Sequence, residues 1–302
     1  SVWLPDNLKY LGMDVFSLCD DLDSIHVNSK EGNYFVLDGL LIDKDLTIIC
    51  GTQSIKGGLR VPEGVLRIGR KAFQNKHITS VELPGSVISI GEESFKKCKL
   101  MNNAILNDGL IIIEQDAFSD CENLVAIRIP NSVKVVGSNA FSRCEMLESI
   151  YIPDTLSVIS RGTFNNCDAL KSLILPKYTK IIKDRAFSGC DKLQEIVIPE
   201  NVVVIKSRAF SNCSELSSVI LQNTQVIIEE EAFEYCKNLI SIKPLQSVRS
   251  IGKSAFECCK KLISVQISQN ISRINSKTFL GCKKLEFLTI PRSVEKIGKG
   301  AF

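Results

Sequence analysis

The sequence predicts a β-rich solenoid: short units coiled on one axis, with one parallel β-sheet, 3₁₀ or single helical turns, and a β-hairpin insert. Three observations predict it. Twelve of the 14 Phe fall at positions 16, 73, 95, 118, 141, 164, 187, 210, 233, 256, 279 and 302, and from Phe95 onward every step is 23 residues. Ten of the 12 Cys stand three residues after one of these Phe, at Cys19, Cys98, Cys121, Cys144, Cys167, Cys190, Cys213, Cys236, Cys259 and Cys282. Eight of the nine Pro share a third slot: Pro5, Pro62, Pro84, Pro130, Pro153, Pro176, Pro199 and Pro291. A fixed period of this length marks a repeat array. The step from Phe73 to Phe95 is 22, and that from Phe16 to Phe73, at 57, breaks the rhythm.

Each unit yields its elements in order. The one from Cys144 to Asn166 holds Leu147, Ile150 and Ile152 in an L-x-x-I-x-I segment whose end alternates with period two, the pattern of a short strand with one buried face. Pro153 stops the strand, having no N–H to donate to a ladder. A V-x-x-I segment turns the chain back. The closing G-x-x-A-F-x-x-C is too short for a full helix and suits a 3₁₀ or single helical turn. Such a unit cannot bury its apolar face alone, whereas stacked units cover one another and align equal slots into continuous Phe and Ile/Leu columns. Residues 1–302 are therefore expected to form one domain of about twelve 23-residue units, interrupted by an insert over 28–60.

Residues 121–141 carry Cys121, Leu124, Ile127, Ile129, Pro130, Ser132, Val133, Val136, Gly137, Ala140 and Phe141. This series resembles the unit of the BspA-like (Treponema-type) leucine-rich repeat class. The resemblance implies a right-handed leucine-rich-repeat coil, and an adhesin-like protein secreted or displayed at the cell surface. The Phe73 repeat departs from the pattern, with Lys76 in the Cys slot and one residue fewer before Pro84; a tighter coil is expected there. Within the insert, Asp38-Gly39 and Asp43-Lys44-Asp45 lie between apolar runs, a hairpin signal. Arrays of this class commonly carry a similar D-G-x-L segment; a bespoke functional loop is the alternative reading. The chain begins inside a unit and stops at Phe302 with neither end capped, as expected of a piece of a longer array. A signal peptide, wall anchor or further domain of the whole protein would, on that expectation, lie outside these residues.

Composition excludes several functions. The net charge of +3, from 37 basic and 34 acidic residues, offers no case for nucleic-acid binding. No apolar run is long enough for membrane insertion. His26 and His77 are the two His, one at an outward strand slot and one at a turn, with no partner for catalysis. No G-x-S-x-G, phosphate-binding loop or H-E-x-x-H occurs, and no C-x-x-C pair that would hold zinc. No catalytic residue, metal or cofactor is assigned, and the chain is read as not an enzyme. The acidic runs Asp20-Asp21-Leu22-Asp23 and Glu229-Glu230-Glu231 read as solvated turns, with calcium the sharper alternative. The repeated Cys should form a column of buried reduced thiols, since parallel Cα–Cβ directions suit a disulfide poorly. Cys50 and Cys258 lie off that column and are expected to be the reactive ones.

In the I-x-I segment the middle residue points away from the core. Read along the array, that slot offers Tyr151, Ile174, Val197 and Ile220 in consecutive coils, bordered by Arg128 and Lys243. Two residues earlier the slot is mostly small, with Ser149, Ser172, Ser218, Ser241 and Ser264 among it. An exposed apolar strip roughly 15 Å long beside a serine shelf is expected. These six residues are the candidate ligand-binding set, for a protein or glycan ligand. A second stripe, Ile112, Val135, Val158, Ile181, Val204 and Ile227, either turns inward or packs on another chain. A binding or adhesion module is the leading reading; the alternative is a structural, self-associating repeat array of a surface protein.

Overall fold

The structure, a computed structural model, describes the chain apart from residues 13, 17, 18, 20, 29–31, 53, 54, 224, 246 and 247. It divides into two units, Ser1–Leu147 and Glu148–Phe302.

In the first unit the I-x-I segments become the parallel strands Gly57–Arg60, Ile78–Glu82, Asn103–Ile105 and Ala126–Arg128. The V-x-x-I segments form strands of their own, Arg67–Ile68, Ser89–Ile90, Ile112–Ile113 and Val135–Val136, also paired in parallel. The coil thus carries two parallel ladders where one sheet was expected, because β-branched residues hold both sides of the turn extended. Equal slots face each other, Ile112 opposite Val135 and Ala104 opposite Ile127. Val2–Leu4 and Ile25–Val27 pair separately.

The insert is a three-stranded meander of Tyr34–Leu37, Leu40–Asp43 and Thr47–Gly51. Its turns fall at the Asp-containing segments: Asp38 and Gly39 both take positive φ, 50° and 78°, the conformation a two-residue hairpin loop needs. At the second turn a carboxylate oxygen of Asp43 accepts from the N–H groups of Asp45 and Thr47. Thr47–Gly51 then pairs in parallel with Arg67–Ile68, which joins the insert to the V-x-x-I ladder. Gly57–Arg60 is already a strand of the array, so the insert as folded ends before Gly57.

The second unit repeats the plan. Val158–Ile159, Ile181–Ile182, Val204–Ile205, Ile227–Ile228 and Ser250–Ile251 form one unbroken parallel ladder. On the I-x-I side, Glu195–Ile198, Ser218–Leu221 and Ser241–Lys243 pair in parallel, as do Ser264–Gln266 and Phe287–Thr289. Ser149–Tyr151 is a strand, but residues 172–174 are not.

The core is a column of Phe rings. Phe73, Phe95, Phe118 and Phe141 stack at centroid distances of 5.2–5.4 Å in the first unit. In the second, Phe164 through Phe279 do so at 5.2–5.6 Å. Beyond the area buried, each such aromatic pair contributes about 0.5–1.5 kcal/mol. Phe16 lies outside the column and is half-buried, and Cys19 is exposed; both were expected in the buried columns. The 57-residue step leaves Phe16 no ring one coil away, and it packs instead against the cluster of Leu22, Ile25, Tyr34, Leu41 and Cys50.

The G-x-x-A-F-x-x-C turns are held by bonds from N–H to the carbonyl three residues back, as from Ser119 to Asp116 and Cys121 to Phe118. Left-handed residues recur within them, Asp116 and Asp120 in this coil, and stop the turns from lengthening. No α-helix forms among the described residues.

Candidate binding face

Every candidate residue in the outward slot of the second unit is exposed. Tyr151 is 42% exposed, Ile174 87%, Val197 41% and Ile220 46%, and Lys243 is exposed beside them. Their inward neighbours Ile150, Ile196, Val219 and Ile242 are buried, which is how alternation along a strand sorts side chains. Register brings three together: Val197 lies opposite Ile220, and Ile220 opposite Lys243. Arg128 is exposed on its strand in the first unit, where Ile105 occupies the same slot at 45% exposure.

The strip is not one continuous sheet. Residues 172–174 leave the strand conformation, and Leu173, in the inward slot, is only half-buried. A cleft of about 760 Å³ opens there, lined in part by Ser149, Ser172, Ile174, Lys177, Glu195 and Val197. The serine shelf therefore gives onto a recess at this point, while Tyr151 and Ile220 stand outside it.

The second stripe is mostly half-buried: Ile112, Val158, Ile181, Val204 and Ile227 are intermediate, and only Val135 is exposed. Its side chains lean into the turn of the coil. In the first unit Trp3, 65% exposed, stacks on His26 with centroids 4.2 Å apart, and the Ser24 hydroxyl lies 3.0 Å from His26 Nε2. A smaller depression of about 340 Å³ beside the hairpin turn is lined by Asp38, Arg60, Glu63 and Glu82 among others, and Arg60 pairs with Glu82 at 2.8 Å.

Two chemical expectations need correction. Cys50 is buried, and burial pushes its thiol up to about 12, so it is not a reactive thiolate. The alternation of Thr47-Ile48-Ile49-Cys50 places Ile48 and Cys50 inward together, a signal present in the sequence. Glu229, Glu230 and Glu231 are not simply solvated: Lys206, Lys253 and Arg208, each from an adjacent coil, pair with them. Of the other acidic run, Asp20 lies outside the described residues, and Asp21 and Asp23 are exposed. No group of three or more His, Cys, Asp or Glu that could hold a metal lies together among the described residues.

A stack of 23-residue coils whose I-x-I segments alternate inward and outward residues defines a leucine-rich repeat scaffold. The chain belongs to the BspA-type leucine-rich repeat family: the profile described as a BspA type leucine rich repeat region, of six copies, matches residues 66–194 and again 180–302. No curated protein matches. Among solved structures it is similar to a leucine-rich cell surface protein of Faecalibacterium prausnitzii, with 27% identity and a TM-score of 0.64 over 91% of this chain and 87% of that one. It also resembles a leucine-rich repeat protein of Bacteroides ovatus, at 26% identity, TM-score 0.47 and 88% coverage of both chains. The pneumococcal vaccine antigen PcpA shares the fold at 18% identity, with a TM-score of 0.51 over 91% of this chain and 92% of that one.

Proposed function

We propose that this chain is a non-catalytic binding module, working at the cell surface or outside it, that holds a protein partner against Tyr151, Ile174, Val197 and Ile220, with Lys243 as a charged border. The observation that carries this reading is Ile174. A large aliphatic side chain 87% exposed, in a cleft with Val197, costs solvation and contributes nothing to the core. Contact with an apolar group removes that cost, and aliphatic surface bordered by charge is typical of protein partners. The likeness to a protein described as a cell surface protein supports the location.

The test is retention of extracellular and cell-surface proteins by the immobilised chain, compared with Ile174→Asp. The variant should keep the wild-type thermal midpoint and lose the retained partner. Identical retention by both proteins would remove the strip from the function. A glycan reading finds its support elsewhere, in the exposed Trp3 ring stacked on His26, and predicts that Trp3→Ala, not Ile174→Asp, abolishes binding to immobilised sugars.

A further inference from the structure

The coil that carries Ile174 is irregular on the proposed face. Its ends are pinned. The Lys171 carbonyl accepts from the Gln194 N–H at 3.3 Å, and the Lys177 N–H donates to the Asp154 carboxylate at 2.7 Å. Between these points no backbone N–H or carbonyl of residues 172–175 has a hydrogen-bond partner among the described residues. The next strand, Glu195–Ile198, pairs with Ser218–Leu221 on one side and ends its three-stranded ladder on the other. An edge strand thus borders a run of four residues with unpaired backbone. Elsewhere the same coil is regular: Ile181–Ile182 pairs on both sides, and the rings of Phe164 and Phe187 stack at 5.3 Å. The opening is therefore confined to the binding face.

We propose that this opening is a strand-addition site. An extended polypeptide segment pairs its backbone with the free edge of Glu195–Ile198 and with residues 172–175, and its alternate side chains settle against Ile174 and Val197. The proposal rests on the reading of this face as a protein-binding surface and adds the mode of recognition. The occupant is polypeptide because what stands unpaired is a row of N–H and carbonyl groups on neighbouring backbone, which another backbone complements in sequence and spacing; an open sheet edge is a ready template for such pairing. The cleft is lined by the carboxylates of Glu195 and Glu200 against the single ammonium of Lys177. Neither glutamate has an ion-pair partner among the described residues. A segment flanked by Lys or Arg suits that charge.

The probe is the peptide acetyl-Lys-Val-Thr-Val-Thr-Val-Lys-amide, set against the same sequence N-methylated at alternate residues, which keeps the side chains and removes N–H donors. The readouts are hydrogen exchange and titration calorimetry on the whole chain. In the free protein the amides of residues 172–175 should exchange fast. The parent peptide should bind saturably and protect them together with the amides of 195–197. The N-methylated peptide should bind about tenfold more weakly or worse, since several backbone hydrogen bonds are lost. Equal affinity for both peptides, or slow exchange of 172–175 in the free monomer, overturns the proposal. So does protection that rises with protein concentration without peptide, which would assign the gap to a second copy. If Ile174→Asp abolishes partner retention while both peptides bind alike, the face stands and strand addition falls. If Ile174→Asp changes no binding at all, the face itself falls.

Discussion

The thiol of Cys190 donates to the backbone carbonyl oxygen of Phe164, 3.2 Å away and 26 residues earlier in the chain. The same contact recurs from Cys98 to Phe73, Cys121 to Phe95, Cys213 to Phe187, Cys236 to Phe210, Cys259 to Phe233 and Cys282 to Phe256, at 3.1–3.2 Å. Each contact stitches one coil to the previous one. It explains why the slot favours Cys: sulfur is apolar enough to be buried, yet its S–H satisfies a carbonyl beside the Phe column. It also explains why stacked Cys need not oxidise, since each S–H is directed at oxygen and not at the next sulfur.

Thiol accessibility follows. In the native chain iodoacetamide at pH 8 should label Cys19, which is exposed, and then Cys258, which is half-buried, while Cys50, the column from Cys98 to Cys259, and Cys282, whose thiol burial pushes up to about 12 as it does that of Cys50, stay unmodified. Peptide mass mapping after a short pulse reads the pattern. Early labelling of Cys144 or Cys190 would contradict a closed column.

The same burial makes the fold sensitive to alkali. Desolvation raises the Cys98 thiol from 9.0 to about 12. The folded value lies above the unfolded one, so this stabilisation is complete below about pH 9 and is lost as pH rises through about 12. Within that window each such thiol steepens the fall by up to about 1.4 kcal/mol per pH unit. Urea midpoints taken from pH 8 to 11 should decline less steeply for Cys98→Ala than for the parent. Parallel slopes would show that this thiol does not contribute.

What could be read in advance was whatever recurs. Phe, Cys and Pro at fixed slots determine the coil, and the alternation around Val197 and Ile220 determines which side chains face out. The second ladder was hidden because V-x-x-I contributes only two residues of strand, too few for period two to register. The gap at Ser172-Leu173-Ile174-Leu175-Pro176 was hidden for a different reason. Its pattern matches its neighbours, and the departures are Leu173 and Leu175, where the adjacent coils carry Ile150 and Ile152 on one side and Ile196 and Ile198 on the other; residue type does not report the spacing of backbones. The exposure of Cys19 had a signal in the 57-residue step, since a column needs a neighbour one coil away.

Phe187→Ala should be costly. The ring is fully buried and stacks on both Phe164 and Phe210, at 5.3 and 5.2 Å. Removing it leaves a cavity and deprives two other rings of a partner, a loss of about 3–5 kcal/mol. Chemical denaturation should show this as a lower midpoint. A loss below 1 kcal/mol would mean that the column is loosely packed.

A stabilising change should be available at Arg185. Its φ is 55°, and the equivalent positions one coil earlier and five coils later are Gly162 and Gly300, with φ of 59° and 62°. A side chain in this left-handed conformation costs roughly 1–2 kcal/mol, whereas glycine adopts it freely at an entropic cost of about 0.5–1 kcal/mol in the unfolded chain. The Arg185 side chain is exposed, so little packing is lost, and its N–H, which donates to the Ser207 carbonyl at 3.0 Å, is retained by glycine. Arg185→Gly should therefore raise stability by up to about 1 kcal/mol in urea denaturation. A clear loss instead would show that the stacked coils hold this slot without strain, and that glycine at 162 and 300 serves another purpose.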